Sequence, residues 1–169
     1  MTAKARVVLE DCRQAIAELT DDLQGAEWRL RWVTVVTLLR AVGHVLYYVD
    51  RQTSPVMQDA VDQAWSHVSG TKPRPEILWG FIDEDRHAVI KEYRFTAGQG
   101  VKIFPPPLRL SATFAGRPSL PSPIVEGRAE FVYEMGSGPF SGRDPRAVAR
   151  EAVDWWQEYL DAIDAAASP

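Results

Sequence analysis

The sequence predicts a mostly helical α+β fold: a four- to five-helix bundle with a small antiparallel β-sheet or flap inserted before the C-terminal helix. Three observations predict it. Apolar residues recur at steps of three and four through residues 3–97, the period of a helix with one buried face. Residues 98–142 hold 7 of the 11 glycines and 7 of the 12 prolines, and alternation of period two replaces the helical pattern there. From residue 143 the helical period returns. A length of 169 residues suits one domain with its own core. The bundle (1–97), the β-rich insertion (98–142) and the closing helix (143–169) are therefore expected to fold as a single unit, 1–169.

Helix one is expected from Ala3 to Leu23, because Val8, Cys12, Ala15, Leu19 and Leu23 share a face, with Gly25 as its stop. The next helix is the best determined. Trp28, Trp32, Val35, Leu39, Val42, Leu46 and Val49 form one unbroken seam. Ser54 and Pro55 read as N-cap and first helical residue of a third helix that buries Met57, Val61, Ala64, Trp65 and Val68 and closes at Gly70. Pro75 and Glu76 open a fourth, apolar at Leu78, Phe81, Ile82, Val89 and Tyr93 and running to about Phe95. In the insertion, "VKIF", "LRLSATF" and "RAEFVYEM" read as strands, with Ala129, Phe131, Tyr133 and Met135 on one side of the last. Asp144 and Pro145 start the final helix, whose buried face is Val148, Ala152, Trp155, Trp156, Tyr159 and Ile163.

Composition narrows the function. A net charge of -4 gives no global attraction to nucleic acid or anionic membrane, so DNA is not expected and RNA would need a local basic patch. One cysteine, Cys12, excludes an intrachain disulfide and a multi-cysteine metal cluster, and suits a reducing, cytoplasmic setting. Neither a signal peptide nor a membrane span is expected, since charges return early at the N-terminus and Arg40 and His44 interrupt the longest apolar run.

Those two residues pose the main functional question. With Leu39 at the centre of the seam, Arg40, His44, Tyr47 and Arg51 fall at about 100°, 140°, 80° and 120°, one polar file on the flank of the second helix. Helix four carries a second file, Glu84, His87, Lys91 and Arg94. Side-by-side packing would bring Arg40 and His44 to Glu84 and His87, a carboxylate to orient an imidazole and a guanidinium to hold an anion.

A long helix with Arg and His one turn apart, in a small helical bundle, resembles the HEPN superfamily over the first 97 residues. That resemblance implies a dimeric, metal-independent ribonuclease in which His44 is the acid or base and Arg40 stabilises the pentacovalent phosphorus. Here three residues separate the pair, one fewer than the family motif, and Ala41 replaces the polar residue after the arginine. Residue types alone favour a different reading, a non-catalytic binding or interaction module, expected to be a homodimer, with Arg40 and His44 in an interhelical network. Arg40 paired to Glu84 or Asp85 within one chain would favour the module; a basic groove at a two-fold interface would favour RNA cleavage.

Other features carry less. The glycine-rich "MGSGPFSGRDP" leads into a helix N-terminus but lacks a Gly-Lys-Ser/Thr ending, and Asp144 occupies the anion position. His44, His67 and His87 have no metal-ligand spacing, so neither metal nor cofactor is expected. Six tryptophans are many for this length; core packing is the commoner fate of such residues, and the excess also raises the case for an interface or a flat ligand.

Overall fold

A computed structural model describes residues 1–104 and 128–168. Its architecture is mostly helical α+β. Among the described residues, five α-helices, α1 (Ala3–Ala17), α2 (Gly25–Tyr48), α3 (Pro55–Gly70), α4 (Glu84–Glu92) and α5 (Pro145–Ala166), accompany a two-stranded antiparallel sheet, β1 (Ala97–Phe104) and β2 (Arg128–Met135). A short 3-10 turn (Asp50–Thr53) links α2 to α3, and a π-helix (Ile77–Asp83) leads into α4. The stretch "LRLSATF" lies outside the described residues.

The seam of α2 is the centre of the core. Trp28, Trp32, Val35, Val36, Leu39, Val42 and Leu46 are buried, against α1 on one side and α4 and α5 on the other. By length and composition Gly25–Thr53, mean hydropathy 1.4, is apolar enough to cross a membrane, contrary to the expectation from Arg40 and His44. The same pattern belongs to a core helix, the place α2 takes among its neighbours here.

Three boundaries differ from expectation. Helix α1 stops at Ala17, because Thr20, Asp21 and Asp22 favour a turn over helix; Leu19 and Leu23 stay buried from that turn. Gly25 begins α2 instead of ending α1, with a φ of 53° that glycine adopts without strain. Helix α4 ends at Glu92, where Tyr93 turns left-handed and the Arg94 N–H donates to the Ala88 carbonyl, freeing the chain to enter β1.

The caps follow the sequence more closely. Ser54 Oγ accepts from the Met57 N–H and an Asp144 carboxylate oxygen from the Arg146 N–H, each with proline at the first helical position. On α3 Trp65 is 39% exposed, so it leaves the buried face expected of it. On α5 Trp156 is buried, while Trp155 is half-buried and stacks on Tyr159 with centroids 5.1 Å apart.

The sheet covers core at one end only. Tyr133 and Met135 are buried, whereas Phe131 on the same side is 55% exposed, so β2 projects beyond the helices. Tyr133 anchors it: the ring stacks on Trp28 at 4.7 Å, and the hydroxyl donates to the Leu23 carbonyl. Trp28 stacks in turn on Trp32 at 5.6 Å, which carries the contact into the seam.

Helix α1 has no local cap. Its free N–H groups at Lys4 and Ala5 donate to Asp50, 3.0 and 2.8 Å away, a residue 1% exposed. Thr2 and Arg6 bind Asp164 of α5, and Arg6 also reaches Asp161. Two carboxylates thus meet the positive end of α1. Asp50→Ala takes the acceptor from both N–H groups, that of Ala5 being buried, and is expected to lower stability by about 1–3 kcal/mol. Urea unfolding reads it; a loss within about 0.5 kcal/mol would show that α1 does not depend on this clasp.

Candidate functional site

The flank of α2 faces a cavity, not α4. Its volume is about 240 Å³. Helix α2 supplies Arg40, His44, Tyr47 and Tyr48, α3 supplies Val61 and Trp65, and α5 supplies Trp156 and Tyr159. No described residue of the sheet lines it, so the β-insertion plays no part in this site among the described residues.

One missing side chain shapes its wall. A Cβ on Gly43 would stand 2.9 Å from Trp156 Cη2 and 3.3 Å from Cζ2, closer than packed carbons tolerate. Glycine there lets the indole lie on the backbone of α2, with Arg40 Nη1 3.6 Å from the same point. Guanidinium and indole therefore meet on one wall.

Arg40 is held only loosely. Its Nε is 3.4 Å from Asp83 Oδ1 without forming a hydrogen bond, and its side chain is 23% exposed. Among the described residues no acceptor takes any of its donors. Arg51, in contrast, is fully committed: it forks onto Asp62 with two bonds of 2.7 Å and lies over the Tyr47 ring at 4.8 Å. That fork raises the pKa of Arg51 and lowers that of Asp62.

His44 makes no hydrogen bond to a described residue; its ring lies edge-on to Tyr48 at 6.3 Å. Partial burial, and then the charges of Arg40 and Arg86, hold its pKa below 6.5 against a smaller opposing pull from Asp83. The imidazole is accordingly neutral at neutral pH.

Glu84, His87, Lys91 and Arg94 face solvent, and no contact joins Glu84 or His87 to Arg40 or His44 among the described residues. The π-helix explains it. Its wider turn advances the face of the segment, so Asp83 meets α2 while Glu84 turns outward. Asp85 turns inward, 2% exposed, and accepts from the Thr96 hydroxyl at 2.5 Å. Burial pushes its pKa from 3.8 up to about 6. Its stabilising contribution is full below 3.8 and is lost as pH rises through about 6.

The remaining candidates are filled or inert. Asp144 itself occupies the N-terminus of α5, bonded to the Arg146 N–H and side chain. Cys12 is buried, its thiol pushed up to about 12 by desolvation. No cluster suited to a metal occurs among the described residues.

Sequence reasoning found Arg40, His44 and Tyr47 but not Gly43, Trp65, Trp156 or Tyr159 as their companions. The aromatic excess was the available signal. Comparison with family models, curated proteins and solved structures gives no match.

Removing the Arg40 charge is expected to raise the pKa of His44, because a repelling cation goes and Asp83 loses its partner. Titration of the His44 ring by NMR in wild type and Arg40→Gln measures this. An unchanged midpoint would mean that the two side chains do not share a site.

Proposed function

We propose that the protein is a non-catalytic binding module of the cytoplasm, acting as a homodimer, with its ligand site in the aromatic cavity on the Arg40–His44 flank. The observation that carries this reading is the pairing of Arg40 with Asp83 inside one chain. Asp83 stands in the place of the Glu84 or Asp85 partner expected within one chain, the arrangement that favours a module. Cleavage by an attacking 2′-hydroxyl needs a base and an acid. His44 is one titratable group, with no described carboxylate orienting it.

The outer side of α2 supports a second copy as partner. Leu30, Thr34, Thr37, Ala41, Val45 and Tyr48 form a file without charge, bulky at both ends and small between. Leu30 and Tyr48 are 62% and 65% exposed. An uncharged, exposed file of this kind can meet its own copy across a two-fold axis.

Incubation of RNA with wild-type protein and His44→Ala in EDTA tests the catalytic half, and light scattering on the same preparations tests the dimer. Intact RNA and a dimeric mass are expected. Metal-independent cleavage lost in His44→Ala would replace this reading with the HEPN-like ribonuclease, and a monomer at all concentrations would remove the second copy.

A further inference from the structure

We propose that the cavity between α2, α3 and α5 takes a small planar aromatic molecule bearing one anionic group, its ring against the aromatic walls and its anion on Arg40. This rests on the binding-module reading and adds the chemistry of the ligand to it.

Size sets the first limit. At about 240 Å³ the cavity falls below the ~300–1,000 Å³ of sites for drug-sized ligands, so it accommodates one ring system with a short arm. The walls set the second. Trp65, Trp156, Tyr159, Tyr47 and Tyr48 come from three helices and offer ring faces and edges to a flat guest.

Charge decides the sign of the guest. Aromatic walls alone also suit an ammonium ion. Arg40, however, is part of this lining, and the field of Arg86 reaches His44 beside it. The nearby carboxylates are already opposed: Asp62 by the Arg51 fork, Asp83 by Arg40 itself. Arg86 forms no ion pair with a described residue. The balance is cationic, which disfavours an ammonium and favours an anion.

Arg40 supplies the specific contact. A guanidinium presents a planar fork matched to the two oxygens of a carboxylate. Here that fork is mostly buried and makes no hydrogen bond to a described residue, while its one ionic neighbour meets only Nε, at 3.4 Å. The Nη donors remain for a ligand oxygen. Neutral His44, on the same wall, adds a donor or acceptor without altering the charge.

Calorimetry on the full chain with indole-3-acetate, uncharged indole and tetramethylammonium tests the proposal. Indole-3-acetate is expected to bind about tenfold more tightly than indole, with no heat from tetramethylammonium. Arg40→Gln should erase the difference and leave indole binding unchanged; Asp83, 44% exposed, can rehydrate, so this variant keeps its fold. Trp65→Ala, at a position 39% exposed, should weaken both aromatic probes together. Equal binding of indole and its acid, no binding of the acid, or preference for tetramethylammonium would each overturn the ligand class. None of these results touches the module reading itself, which RNA cleavage would overturn.

Discussion

Trp156 lies with its benzene edge on the backbone of α2 at Gly43, where even a methyl group would be 2.9 Å from the ring. This close approach sets how near α5 comes to α2, and the candidate site lies beside it. The indole is 2% exposed and belongs to the same core as Trp32 and Leu39. The cavity opens beside this contact, with Gly43 and Trp156 both in its lining. Arg40, one turn before Gly43, is carried to its rim.

Several charges of the molecule hold the fold, and Arg40 differs from them. Asp50 and Asp164 secure the start of α1, Arg51 is locked to Asp62, and Arg146 is shared by Asp144 and Asp21. Each makes charge-assisted hydrogen bonds. Arg40 alone among these arginines keeps its donors while being largely buried. Its Nε is buried without a hydrogen bond beside Asp83, and the side chain stands in the lining of the cavity. The unpartnered indole N–H groups of Trp28, Trp32 and Trp156 show that aromatic packing, not polar satisfaction, dominates this core.

Much of the fold was legible because it is written locally. The seam from Trp28 to Leu46, the Ser54–Pro55 and Asp144–Pro145 starts and the strand before Met135 all depend on neighbours within a few residues. What escaped depends on distant partners or on a change of helical pitch. Nothing near Asp50 announces that it caps a helix 45 residues earlier. The π-helical turn gave Asp83, and not Glu84, to Arg40, since a stripe drawn at a constant angle loses its register there. The polar file on α2 could be read from spacing, but its companions Trp65, Trp156 and Tyr159 come from helices whose mutual placement no spacing encodes.

Side-chain NMR of the tryptophan Nε1–H and arginine Nε–H groups during addition of indole-3-acetate addresses the central claim, that the Arg40 flank is a ligand site built by the Gly43–Trp156 contact. The account predicts that the signals of Arg40, Trp65 and Trp156 move together and saturate, while those of Trp28 and of Arg51, bound to Asp62, stay in place. A uniform response across all tryptophans, or saturation that leaves Arg40 unmoved, would contradict it.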